Sequence, residues 1–142
     1  MKHNRIGLIQ IDGKLPNLAL MKISTFYKSQ GYDVEFAWPL GQYDQVFASV
    51  LFTWNRDKAE QICQRYDNVE IGGTGWSLTK TLPPEIEACK PDYDLYTVEM
   101  LTPNLKRGIK KANTAIEKAQ EIVDMGIGFT SRGCVRSCGF CV

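Results

Sequence analysis

A doubly wound α/β sheet is the fold this sequence predicts, and three observations predict it. Apolar runs of strand length recur at residues 5–11, 33–38, 45–54 and 68–71, helical apolar spacing fills 16–31 and 55–66 between them, and glycine, asparagine and aspartate mark the turns. Strands that alternate with helices of this length pair in parallel through crossovers, and the helices cover the sheet.

The run RIGLIQI at 5–11 is continuous and apolar, the pattern of a strand buried on both faces. Asp12 and Gly13 then mark a turn. Between Pro16 and Gly31, the residues Ala19, Ile23, Phe26 and Tyr27 fall on one helical face, Pro16 suits a first turn and Gly31 a C-terminal cap. DVEFAW at 33–38 and QVFASVLFTW at 45–54 are rich in β-branched and aromatic residues and are expected as strands two and three. Asn55 is expected to cap a second helix over 55–66. NVEI at 68–71 is a fourth short strand that runs into GGTG at 72–75. The pattern is Rossmann-like or flavodoxin-like and is expected to occupy residues 1–80 as one α/β domain.

The pattern changes after Thr81. Pro83, Pro84 and Pro91 forbid one long regular element, so 81–125 is expected as a linker with one short helix and then an amphipathic helix at 105–123. Leu105, Ile109, Ala112, Ile116, Ala119 and Val123 step by four and three, which is one apolar stripe on a helix. Lys106, Arg107, Lys110 and Lys111 ride beside it, and such a run is ordinarily a solvated helix face, so nucleic acid is not the expected partner. GIGFTSRG at 126–133 reads as a strand leading into a cysteine-rich loop.

Composition narrows the classes of function. A formal net charge of +1 supplies no global field for nucleic acid or an anionic membrane. No apolar run approaches the roughly 20 residues of a membrane-spanning helix, and the start MKHNRIGLIQIDG turns polar too soon for a signal peptide. A cytoplasmic protein is expected, with its five cysteines kept reduced and available to metal.

Three of those cysteines, Cys134, Cys138 and Cys141, stand within eight residues at C-x3-C-x2-C spacing. Thiolates bind soft or borderline metals, and three at this spacing can wrap one centre. A structural zinc site needs a fourth ligand, for which the lone His3 lies at the far end of the chain, and a disulfide or inert thiols are the other readings. Cys63 and Cys89 are expected to be buried thiols.

The stretch CVRSCGFC at 134–141 resembles the signature of the radical S-adenosylmethionine (SAM) enzymes, including the aromatic Phe140 before the last cysteine. The resemblance implies a [4Fe-4S] cluster on Cys134, Cys138 and Cys141, SAM on the iron without a protein ligand, and Phe140 beside the adenine. The expected reaction is reductive cleavage of SAM to a 5'-deoxyadenosyl radical. The N-terminal part is similar to the cobalamin-binding domain of one group of these enzymes, whose pattern is D-x-H-x-x-G, then S-x-L, then G-G. Asp12, Ser49, Val50, Leu51, Gly72 and Gly73 stand here in that order, with Lys14 in place of the cobalt-ligating histidine and Asn17 in place of the glycine. The resemblance implies cobalamin at the carboxyl edge of the sheet on Asp12, Ser49, Leu51, Gly72 and Gly73. The other reading is that these short motifs only shape a sheet edge.

A radical SAM catalytic domain is a full or partial (β/α) barrel, which takes roughly 200 residues or more. Residues 126–142 are therefore expected to be the first strand and cluster loop of an incomplete barrel, and the chain an N-terminal fragment, inactive alone, of a radical SAM enzyme. A missing barrel domain or a separately encoded remainder is the expected partner, along with small-molecule cofactors and no membrane. The alternative is a non-catalytic α/β interaction or substrate-positioning module with a structural zinc or redox-inert cysteine site.

Overall fold

The computed structural model describes residues 3–106, 112–129 and 139. Four strands, β1 (Arg5–Gln10), β2 (Asp33–Phe36), β3 (Gln45–Ser49) and β4 (Val69–Gly72), form one sheet in the order β2-β1-β3-β4, and every pairing is parallel. Five helices accompany them: α1 (Leu18–Ser29), α2 (Arg56–Cys63), α3 (Pro84–Glu87), α4 (Val98–Lys106) and α5 (Ala112–Asp124). β1 pairs with β2 from Arg5↔Asp33 to Leu8↔Phe36 and with β3 from Ile6↔Gln45 to Gln10↔Ser49. The chain thus steps from β1 to one neighbour, returns across β1 to the other, and reverses direction in the sheet between β1 and β3.

Successive strand residues point to opposite faces, and the two apolar clusters follow that alternation. Ile6, Leu8, Val34 and Phe47 pack with Leu20 and Ile23 of α1, Ile86 of α3, Leu95, Tyr96, Leu101 of α4 and Ala119 of α5. Ile9, Ile11 and Val50 pack instead with Ala59 and Ile62 of α2, Ile71 and Trp76.

The segment 81–125, expected as a linker, shares the first of these clusters with residues 1–80. It is also tied to α1 by ion pairs from Lys22 to Glu87 at 2.8 Å and from Lys28 to Asp92 at 2.7 Å. The stripe expected as one helix over 105–123 is divided: Leu105 lies in α4, Ile116, Ala119 and Val123 lie in α5, and the two helices pack side by side. In α5 the buried residues are Ala115 and Ala119, whereas Ile116 of the stripe is exposed. Ile109, Arg107, Lys110 and Lys111 lie outside the described residues.

Strand three is shorter than its apolar run. It ends at Ser49 because the next free backbone donors, Leu51 N–H and Phe52 N–H, turn to the Asp12 carboxylate. A single 3-10 turn, Thr53–Asn55, follows. Asn55 does not cap α2 with its side chain, which also donates to Asp12. α1 starts at Leu18 rather than Pro16, because the Asn17 side chain accepts from Leu20 N–H and fixes the first turn. Gly126, Ile127, Gly128 and Phe129 pair in no strand, and the rest of the strand expected at 126–133 lies outside the described residues. No helix among the described residues is long and apolar enough to cross a membrane.

Candidate functional site at the carboxyl edge of the sheet

In an open parallel sheet, ligands bind beyond the carboxyl ends of the strands, at the place where the strand order reverses. Here that place lies between β1 and β3. The residues expected there are brought together, each through a contact within the chain.

Asp12, just past β1, accepts from Leu51 N–H at 2.7 Å, Phe52 N–H at 3.0 Å and Asn55 Nδ2 at 2.9 Å. On the other side of the same loop, Thr74 Oγ1 donates to the Leu51 carbonyl at 2.9 Å and Gly75 N–H to the Val50 carbonyl at 3.0 Å. Residues 50–55 are therefore gripped from β1 and from β4 at once. Gly73 has φ +100°, a conformation that side chains rarely adopt, and a Cβ there would run into the Val50 carbonyl oxygen. Gly72 is different, since a Cβ would meet nothing within 4 Å.

Ser49, at the end of β3, is 5% exposed, and its hydroxyl accepts from Asn17 Nδ2 at 2.8 Å. The Asn17 N–H donates to the Tyr96 hydroxyl at 3.0 Å, and that hydroxyl donates to Gln10 Oε1 at 2.5 Å. Burial pushes the Tyr96 phenol up to about 12, partly opposed by the Asn17 N–H. One polar chain thus links β1, β3, the start of α1 and the segment before α4. Tyr96 was missed as a member of this edge, and Asn17 was placed there only as a departure from the signature glycine. An asparagine ahead of an apolar helix is a legible cap signal, whereas nothing near Tyr96 in the sequence marks it.

Lys14 is exposed and lines a cavity of about 170 Å³ with Gln10, Phe36, Tyr96, Met100 and Asn104. A larger one, about 440 Å³, lies between the start of α1, α3 and residues 127–129, where Lys22, Cys89 and Phe129 face it. Leu51 is 38% exposed, and beyond it Phe52 and Trp54 stack with ring centres 4.7 Å apart at 12°.

Cys134, Cys138, Cys141 and Phe140 lie outside the described residues. Among the described residues no group of three or more histidines, cysteines, aspartates or glutamates could hold a metal ion. Cys63 is a buried free thiol, pushed up by burial, and Cys89 is half-buried with its thiol donating to the Glu85 carbonyl. His3 is exposed and binds Asp44 through its backbone N–H. Compared with protein-family models, curated proteins and solved structures, the chain matches none of them.

Proposed function

We propose that this chain is the N-terminal part of a cytoplasmic radical SAM enzyme, in which a flavodoxin-like, doubly wound domain precedes the strand and cluster loop that open a (β/α) barrel. The observation that carries the reading is the sequence CVRSCGFC, three thiols within eight residues with an aromatic ring before the last. The donor set suits an iron–sulfur cluster: thiolates alone, three of them, with no imidazole or carboxylate among them to complete a tetrahedral zinc site. The sheet order β2-β1-β3-β4 supports the fold half of the proposal, because it matches the first four strands of the flavodoxin-like order.

In this reading Cys134, Cys138 and Cys141 would hold the cluster as thiolates, and Phe140 would supply an apolar face for the adenine of SAM. Bound there, a [4Fe-4S] cluster reduced by an external one-electron donor would supply reductive cleavage of the SAM sulfonium, a chemistry that yields methionine and a 5'-deoxyadenosyl radical able to take hydrogen from a substrate. The reading assigns the substrate pocket to the (β/α) barrel.

Anaerobic incubation with iron and sulfide tests this. Cluster uptake with a broad iron–sulfur charge-transfer band, lost in Cys138→Ala, is the expected result. Stoichiometric zinc in place of iron, or a band untouched by Cys138→Ala, overturns it.

A further inference from the structure

We infer that the cobalamin-like signature of this chain is a lock on the loop after β3, and that the carboxyl edge of its sheet does not hold cobalamin. Cobalamin is a flat macrocycle with a nucleotide tail, so its site needs polar groups with unspent hydrogen-bonding capacity, glycines that leave open space, and a cavity for the tail. The signature residues supply little of this.

Asp12 spends both carboxylate oxygens on the chain itself: one on Leu51 N–H, the other on Phe52 N–H and Asn55 Nδ2. Ser49 is 5% exposed, and its hydroxyl accepts from Asn17 Nδ2, which leaves it turned to the chain rather than to an open edge. The volume left by the missing side chain of Gly73 is filled by the Val50 carbonyl, and a Cβ on Gly75 would lie 2.7 Å from the Phe52 backbone. These two glycines let the chain approach itself, not a ligand; of the three glycines at this edge, Gly72 alone leaves open space. None of Asp12, Ser49, Leu51, Gly72 and Gly73 lines either cavity described above. The one beside Lys14, at about 170 Å³, is smaller than the roughly 300 Å³ at which small-molecule and cofactor sites begin. Lys14, in place of the histidine, offers no lone pair while it is protonated.

What the lock accomplishes is visible in the loop it holds. Residues 50–55 are fixed from β1 by Asp12 and from β4 by Thr74 and Gly75, so the stacked Phe52 and Trp54 stand on a rigid base. The inference concerns residues 10–75 and is independent of the radical SAM proposal, which rests on residues 134–141.

Equilibrium dialysis of the chain against micromolar hydroxocobalamin tests it, run in parallel with Lys14→His. That substitution restores the missing ligand type at an exposed position, where it leaves folding unchanged. Neither chain is expected to retain the cofactor, nor to gain thermal stability from it. One-to-one retention by the unmodified chain, or by Lys14→His with the spectrum of histidine-ligated cobalt, overturns the inference. A further measurement uses no cofactor: Gly73→Ala is expected to lower Tm or to prevent folding, whereas an unchanged Tm would mean that the glycine leaves room for something other than Val50.

Discussion

Removing the Asp12 carboxylate is the sharpest test of how the sheet edge is held. Asp12→Ala deletes three hydrogen bonds of 2.7, 3.0 and 2.9 Å to Leu51 N–H, Phe52 N–H and Asn55 Nδ2. Hydrogen bonds to a charged group are worth about 1.5–3 kcal/mol each where the abandoned donor stays dry. Leu51 and Phe52 are 38% and 42% exposed, so water can replace the lost carboxylate in this loop and each bond counts for nearer about 1 kcal/mol, the net worth of an ordinary hydrogen bond. The expected loss is about 2–3 kcal/mol in all, close to the upper range for losing a helix cap. For a domain of this length that corresponds to a fall in Tm of roughly 6–10 °C. Urea unfolding should show the lower midpoint with an unchanged slope, because the core is untouched. Asp12→Asn, which keeps one acceptor oxygen, should lose about half as much, and hydrogen exchange should speed up at the Leu51 and Phe52 amides. A loss under about 0.5 kcal/mol, with those two amides still protected, would refute the clamp.

Four further outcomes follow from the same contacts. Burial raises the Asp92 carboxyl, but hydrogen bonds from Lys28 and Ser24, the Lys28 charge and the Asp94 N–H outweigh it, so its folded pKa is lowered. Its contribution is therefore present above the ordinary carboxylate pKa of about 3.9 and lost as pH falls through the lower folded value; Asp92→Asn should flatten that part of the acid unfolding curve and cost about 1 kcal/mol at neutral pH. Tyr96 has the opposite sign: raised to about 12, it contributes fully below about 10 and loses that contribution as pH climbs between the two values. Tyr96→Phe should flatten this alkaline limb and cost about 1–2 kcal/mol, as Gln10 and the Asn17 N–H lose their partner. Ala119 is fully buried where α5 meets the core, so Ala119→Leu should cost about 1–3 kcal/mol by overpacking in thermal melts. Trp54, 76% exposed, should tolerate Trp54→Ser within about 0.5 kcal/mol in urea melts.

The parallel sheet was legible because its strands announce themselves in sequence. RIGLIQI and the first half of QVFASVLFTW are apolar on both strand faces, and both faces are covered in the structure. The end of strand three was not legible, since apolar residues continue to Trp54 while the backbone leaves the ladder at Ser49. What stops it is a carboxylate about 40 residues away, and no local pattern encodes that. Leu95, Tyr96 and Leu101 fall in the segment 81–125, expected as a linker after Pro83, Pro84 and Pro91, yet they share the core cluster of Ile6 and Leu8. Prolines report where regular structure breaks, not whether the chain between the breaks is buried. The sequence places Asp12, Ser49 and Gly73 near strand ends, and what they bond to is set by the tertiary fold.

That last gap has a physical cause. A glycine with positive φ at the end of a strand serves equally well to admit a phosphate and to let a neighbouring loop pass, and a carboxylate after β1 can bind a ligand or cap the loop after β3. Sequence records the vacated volume and the polar group, but not the direction in which each one faces. At Gly73 the volume faces Val50, and at Asp12 the oxygens face residues 51, 52 and 55. Cys134, Cys138 and Cys141 differ in kind, because three thiols with three and two residues between them do little for a backbone that smaller or more apolar residues would not do better. Loop geometry explains glycines and aspartates readily and a triple cysteine poorly. The cysteine spacing is therefore the stronger guide to chemistry in this chain, and the ordered series of short motifs along the sheet edge is the weaker one.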